Sequence, residues 1–383
     1  MFLLALAVTL SVPVYWWALP ERARRPSFAA IALAVLASYA PVAVAVAGAL
    51  TLAVHALCGG APEPTAAWRV RAAVALPLAV LVAHKYFGLL PGLLLGISYA
   101  TFRLVHLALE AGRGGRRDTG LLATLEYVLF PPTFLSGPIE REPHFHGRLR
   151  TTELTLDDAF WSARRVLTGL AKKVLIVAPL SAAVDPTFAP LATPSPREAW
   201  LALFGYALVI YLDFSAYCDM ALGVARAYGF VVSENFDWPY FAPSITEFWK
   251  RWHITLSTWL RDYIFLPVSI VLGRQPAMRD YPVAIGCIAS VVTMLACGMW
   301  HGDSWSFVLW GLGHGLASSV HQLWRQHVVA ELPVKRRKAL AASPVYRVAA
   351  TILTFLVVSL LWPFFRLNPQ AAVAYWRRLL PIV

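Results

Sequence analysis

Residues 244–253 read Ser244-Ile-Thr-Glu-Phe-Trp-Lys-Arg-Trp-His253, and what kind of helix they form settles what kind of protein this is. Ser244 and Glu247 stand three apart, the spacing of a capping box, in which each side chain satisfies a free backbone N–H of the first turn; a helix is expected to begin there. At about 100° per residue, Thr246, Lys250, His253, Ser257 and Arg261 share one narrow arc, while Phe248, Trp252, Leu256, Trp259 and Tyr263 lie opposite. The spacing therefore predicts a continuous two-faced helix with its histidine on the polar side. Such a helix suits a membrane interface, and by this test alone also the inside of a soluble protein. The surrounding chain has to decide.

It decides for the membrane. The 383 residues are 58% hydrophobic and 14% charged, with a mean hydropathy of +0.60, whereas about a quarter of a soluble domain is charged. A membrane span needs roughly 20 apolar residues. Residues 1–20, 281–300, 304–324 and 348–365 contain no Asp, Glu, Lys or Arg. Residues 26–62 are equally free of them and longer than one crossing needs, so two spans, or one span and a re-entrant piece, are expected. The opening segment has neither a charged leader nor a small-residue cleavage site and is expected to be a retained first span. The chain is read as an all-α, polytopic integral membrane protein forming a single domain, with scaffold spans over 1–120, a core over 121–320 and closing spans over 321–383.

The formal net charge of +12 raises the question of nucleic acid. The basic residues, however, fall in short clusters between apolar runs, at 21–25, 113–117 and 335–338, rather than along one face; this fits loops held on the cytoplasmic side, and no nucleic-acid partner is expected. The four cysteines, Cys58, Cys218, Cys287 and Cys297, show no CxxC pair, so neither a disulfide framework nor a zinc site is indicated.

Along the chain, His55, His84 and His106 stand alone on apolar scaffold segments and are assigned structural or interfacial roles. Residues 126–141 carry Pro131, Pro132, Gly137 and Pro138, which break any continuous helix. Broken backbone at membrane depth is tolerated only where protein or a water-filled cavity surrounds it, so this stretch reads either as a re-entrant segment or as a Pro-rich surface loop. His144 and His146 follow in a polar stretch and are expected to face solvent. Lys172 and Lys173 are expected to mark a membrane boundary. Asp213 and Asp219 are six apart and on different faces; buried carboxylates need a cation, and the expected partners are Lys250, Arg251 or Arg261 of the following helix. Ser215 has no GxSxG elbow, which disfavours a serine nucleophile. In Trp300-His301-Gly302-Asp303 an ionisable ring lies between two apolar helices, with a glycine beside it that leaves room for a ligand. His314 and His321 are seven apart on one helical face, but no carboxylate or cysteine completes a metal-ligand set, and no metal is expected.

These residues resemble a known family, the membrane-bound O-acyltransferases, and within it a bacterial branch that acetylates alginate or alanylates teichoic acid. The resemblance runs through residues 130–141 (Phe-Pro-Pro-Thr-Phe-Leu-Ser-Gly-Pro-Ile-Glu-Arg), 169–173, 213–223 (Asp-Phe-Ser-Ala-Tyr-Cys-Asp-Met-Ala-Leu-Gly), 234–262 and 300–302. It covers about half of the chain. It implies a helical membrane fold with a central tunnel and an interfacial amphipathic helix. It also implies a catalytic histidine in Trp-His-Gly, here His301, and a second one in Arg-Trp-His, here His253. The same motifs make Trp300, Asn235, Lys250, Arg251, Ser257 and Asp213 candidates for binding substrate.

The activity implied is transfer of an acyl group, acetyl as the first choice, from a cytoplasmic thioester (acyl-CoA or an acyl-carrier phosphopantetheine) to hydroxyls of an extracytoplasmic polysaccharide. No bound cofactor is implied. The implied setting is the bilayer of the cell membrane, with a donor or carrier protein on the cytoplasmic side and an extracytoplasmic acyltransferase partner. The alternatives are D-alanyl transfer to teichoic acid, acylation of a lipid or small alcohol, and a polysaccharide channel or exporter without chemistry. The acetylating relatives carry a Leu-Gly-Gly-Asn-like turn where this chain has Leu266-Pro-Val-Ser-Ile-Val-Leu-Gly273, which leaves the subfamily open.

Overall fold

The computed structural model describes residues 11–59, 64–90, 95–115, 120–147, 153–189 and 192–380. Secondary structure among them is helical, without a strand. Six helices are long and apolar enough to cross a membrane: Pro41–Cys58, Ala67–Phe87, Leu156–Phe188, Pro196–Ala227, Pro282–His301 and Pro344–Arg366. The chain is an all-α, multi-pass membrane protein. The stretch 26–62 resolves into two helices, Glu21–Tyr39 and Pro41–Cys58, and only the second meets the apolar criterion for a span. The uncharged stretch 304–324 forms the helix Trp305–Trp324, but its Gly, Ser, Gln and His content keeps it out of that set. Half of the expected opening span, residues 1–10, lies outside the described residues.

Two of the three basic clusters are helical rather than loops. Glu21 opens the helix Glu21–Tyr39, which carries Arg22, Arg24 and Arg25 in its first turns, and Lys335 to Lys338 lie in the helix Val334–Ala342. Of the cluster 113–117, residues 116 and 117 lie outside the described residues. Charge clusters mark where chain meets water or headgroups, and a helix end does this as well as a loop.

Contacts between helices divide the chain into two compact units, Met1–Lys172 with Ser215–Glu234, and Lys173–Phe214 with Asn235–Val383. In the first unit the Pro-rich stretch is broken as its prolines require: the helix Gly120–Val128 stops, a four-residue helix Pro131–Phe134 follows, and the chain then runs without helix to Glu142. Breaking a helix in a buried place leaves carbonyls without N–H partners. Arg103, 1% exposed, supplies them. Its guanidinium donates to the carbonyls of Tyr127 at 3.1 Å, Val128 at 2.9 Å, Thr133 at 3.1 Å and Pro138 at 3.5 Å, and to the Thr133 hydroxyl. The planar five-donor fork of arginine is suited to this; the single ammonium of lysine is not. The stretch is therefore packed inside protein and is not a surface loop. His106 is 4% exposed and its Nε2 accepts the backbone N–H of Glu142. His144 is exposed, while His146 is half-buried beside Phe145 and Tyr127 and so differs from the solvent-facing expectation.

The carboxylates find other cations than those expected. In the first unit Asp219 meets Arg165 at 2.8 Å and Lys172 at 2.6 Å, and Lys172 also donates to Ser215. In the second unit Asp213 pairs with Lys173. Lys250 instead pairs with Glu247 and Arg261 with Asp262, neighbours on their own segment. Lys172 and Lys173 thus neutralise the carboxylates of the next long helix.

Candidate active site

Both histidines in question belong to the second unit. His253 does not lie on the polar face of a continuous helix. The helix opens as expected, with the Ser244 hydroxyl accepting the Glu247 N–H, and runs as Ile245–Arg251. It then breaks: His253 takes the left-handed conformation at φ +43°, and a second helix, Ile254–Leu260, follows. Left-handed backbone is unusual for a residue with a side chain, and of the kind that persists where surrounding structure enforces it. That structure is the segment starting at Asn235. The Asn235 carbonyl accepts the Ile254 N–H at 2.9 Å, and the Arg251 carbonyl accepts the Asp237 N–H at 3.0 Å. Backbone of a distant stretch thus takes up N–H and C=O groups on both sides of the break. The Ser257 hydroxyl donates to the Trp252 carbonyl and serves the same break.

The break buries the histidine. His253 is 3% exposed and packs edge-on against Phe214, ring centroids 4.8 Å apart. Asn235, itself fully buried, holds its side-chain oxygen toward the Thr255 N–H at 3.1 Å, the Thr255 hydroxyl at 2.9 Å and His253 Nδ1 at 3.2 Å. An oxygen that accepts a backbone N–H must also accept from the imidazole, so Nδ1 carries the proton and Nε2 the lone pair. Burial pushes the ring pKa down to about 3, which keeps it neutral at physiological pH. The sign of the linkage follows: the unfolded chain takes up this proton near 6.5 and the folded one only near 3, so this residue's contribution to stability falls as pH drops below about 6.5.

Asn235→Ala is expected to cost about 2–3 kcal/mol, because it leaves several buried donors without an acceptor, each worth about 1–3 kcal/mol. Thermal unfolding of the purified protein in detergent checks this, and an unchanged midpoint would show that Asn235 does not hold the break.

His301 ends the helix Pro282–His301, which packs closely on Trp305–Trp324. Small residues make the approach possible: a Cβ on Gly315 would lie 2.8 Å from the Val291 Cα, and Cβ atoms on Gly298 and Gly311 would strike the carbonyls of Phe307 and Met294. The turn between these helices sets His301 among aromatic rings, with Trp300 at 4.5 Å, Phe365 at 4.7 Å, Trp310 at 5.2 Å and Phe307 at 6.0 Å between centroids. His301 remains half-buried. The small Gly302 does not leave an open space for ligand: a Cβ there would meet the Phe307 ring at 2.5 Å, so the glycine makes room for the ring that stacks on the imidazole.

Of the residues expected at a site, the structure brings Trp300 to His301, and Asn235 to His253. The others stand elsewhere. Lys250 is exposed and paired with Glu247, Asp213 is paired with Lys173, and Ser257 ties down the break. Arg251 is half-buried and takes part through its backbone carbonyl.

The sequence reading missed what lies between the two imidazoles. From His301 the rings continue through Trp310 to His314 at 4.7 Å, from His314 to Phe248 at 6.2 Å, and from Phe248 to Trp252, the neighbour of His253, at 5.5 Å. His314 is 0% exposed, neither of its ring nitrogens has a hydrogen-bond partner among the described residues, and Trp249 lies edge-on to it at 5.1 Å. The available signal was one of spacing: Trp310 and His314 are four apart, on one face of the helix that follows His301. His321 sits near the Thr246 hydroxyl. Among the described residues no three His, Cys, Asp or Glu side chains come together as metal ligands.

A multi-pass helical membrane protein with two buried or half-buried imidazoles linked by packed aromatic rings is the class these observations define. Residues 14–362 match the model of the membrane-bound O-acyltransferase family, and the chain belongs to that family. It is 35% identical over 286 residues to a probable alginate O-acetylase of Pseudomonas aeruginosa, covering 74% of this chain and 50% of that protein. It is 34% identical over 253 residues to a peptidoglycan O-acetyltransferase of Helicobacter pylori, covering 63% and 44%. To a teichoic acid D-alanyltransferase of Streptococcus thermophilus it is 29% identical over 240 residues, covering 60% and 57%. The chain spans about half the length of the alginate O-acetylases it matches.

Proposed function

We propose that the chain is an O-acyltransferase of the cell membrane that moves an acyl group, acetyl in the first instance, from a cytoplasmic thioester to hydroxyls of an extracytoplasmic polysaccharide. The observation that carries this reading is the ring-lined, half-buried His301 in a chain whose relatives at 34–35% identity are named O-acetylases or O-acetyltransferases. A neutral imidazole is the common general base near neutral pH, with an ordinary pKa of about 6.5. In the proposed step His301 takes the proton of the acceptor hydroxyl as its oxygen attacks the thioester carbonyl. The tetrahedral intermediate collapses with loss of the thiolate, which recovers the proton from the imidazolium. One ester forms, one thioester breaks, and the histidine is regenerated.

General-base help of this kind is worth about 10²–10⁴-fold. Holding donor and acceptor in register must supply much of the remaining acceleration. His253, fixed as the Nδ1–H tautomer, presents only the lone pair of Nε2, and so serves to orient the donor by accepting a hydrogen bond rather than to support the charge that develops on the carbonyl oxygen. The proposed donor is acyl-CoA or an acylated carrier protein, and an extracytoplasmic acyltransferase partner is proposed to work beside the chain.

D-alanyl transfer to teichoic acid is the second reading, motivated by the 29% identical relative. Mass spectrometry of envelope glycans from cells with and without the protein separates the two: loss of acetyl esters supports the first, loss of D-alanyl esters the second, and unchanged acylation would end both.

A further inference from the structure

Within the first unit lies a cavity of about 1250 Å³ that takes no part in the chemistry above. Its volume exceeds the usual range for small-molecule sites, about 300–1,000 Å³. Its floor is aromatic, with Phe28 set against Tyr228 at 4.5 Å, Phe230 at 5.3 Å and Phe130 at 5.8 Å. Away from the charges, two turns beyond Arg25 on its helix, the lining is apolar and open: Leu33 is 40% exposed. Apolar side chains left uncovered on a membrane protein face lipid tails rather than water.

The other end is charged, and its cations come from the first turns of the helix Glu21–Tyr39. Arg24 is fixed there, donating to the carbonyls of Trp16 and Leu19 and lying over the Trp16 ring at 5.0 Å. Arg25 pairs with Glu126. Arg22 is exposed on the rim. Three arginines against Glu21 and Glu126 leave the rim one positive charge in excess. A groove with a cationic lip, an aromatic floor and an open apolar end has the polarity of one amphiphile carrying a single negative charge.

We propose that this cavity holds one anionic glycerophospholipid of the bilayer, its phosphodiester at Arg22 and Arg25 and an acyl chain along Phe28 and Leu129 toward Leu33. Basic pockets beside membrane helices bind lipid headgroups by the same combination of charge and apolar burial.

The test is native mass spectrometry of the full chain in detergent, incubated with phosphatidylglycerol or with phosphatidylcholine of identical chains. The wild type is expected to retain one phosphatidylglycerol and to release phosphatidylcholine. Arg22→Gln is expected to lower that retention about fivefold, the factor one basic residue near a membrane surface is worth. Ala29→Trp, which fills the groove and keeps its charges, is expected to abolish it in protein that still elutes as a single species. Equal retention of the two lipids, or phosphatidylglycerol retention unchanged in both variants, would overturn the proposal. So would displacement of the lipid by millimolar inorganic phosphate without an effect of Ala29→Trp, since that marks a site for free anions.

Discussion

Replacing His301 by alanine is expected to lower acyl transfer to glycan about 10²–10⁴-fold, the range that loss of a positioned general base produces. The ring contacts of His301 are with side chains of its own helix end, the first turns of the following helix and Phe365. Its removal should therefore leave the helices assembled, so a thermal unfolding midpoint close to that of the wild type is part of the expectation. His301→Gln preserves size and hydrogen bonding without basicity and should be nearly as inactive. The measurement is release of thiol from an acyl thioester by purified protein with a glycan acceptor, together with ester content of the envelope in cells. A channel or exporter would survive the loss of a base. If the His301→Ala protein is inserted, folded and supports wild-type acylation, the proposed chemistry is wrong.

Arg103→Met is expected to be the most damaging change outside the site. The side chain keeps most of its apolar length, but the guanidinium now serving the carbonyls of Tyr127, Val128, Thr133 and Pro138 is gone. Hydrogen bonds from charged groups are worth about 1.5–3 kcal/mol each. The acceptors left behind are buried where water does not readily replace the lost donor, so a loss of about 3–5 kcal/mol is expected, as for breaking other buried charged networks. Arg103→Lys should recover little, because one ammonium cannot reach carbonyls spread over both sides of the break. The yield of monodisperse protein and its unfolding midpoint in detergent measure this; a midpoint within a degree or two of wild type would mean that the broken stretch is held by its other contacts, such as the Tyr127 hydroxyl donating to the Glu140 carbonyl.

How much of this could be read from the sequence differs from residue to residue. The helix start at Ser244 and Glu247 was legible because a capping box is local, made by atoms three residues apart. The breaks at Pro131 and Pro132 were legible because proline denies the helix its N–H whatever surrounds it. That His301 closes one apolar helix just before another could be read from hydropathy alone. The polar arc assigned to His253 was not borne out, since periodicity assumes an unbroken helix and the break is imposed from outside it, by Asn235 and Asp237 some sixteen or more positions upstream. Pairing Asp213 and Asp219 with Lys250, Arg251 or Arg261 failed for a similar reason: charge in the sequence states that a partner is needed, and only the packing of helices states which one is within reach.

That this protein is helical, crosses the membrane several times and carries the motifs of its family is written in its residues, because burial in lipid requires long uncharged runs whose backbone bonds close within each helix. The tertiary structure alone decided that His253 is buried as a fixed neutral ring, that Phe307 and not open space fills the gap beside Gly302, and that Arg103 supports the broken stretch. Each of these depends on atoms far apart in the chain, where the short range of hydrogen bonds and the close packing of rings act only once folding has brought them together.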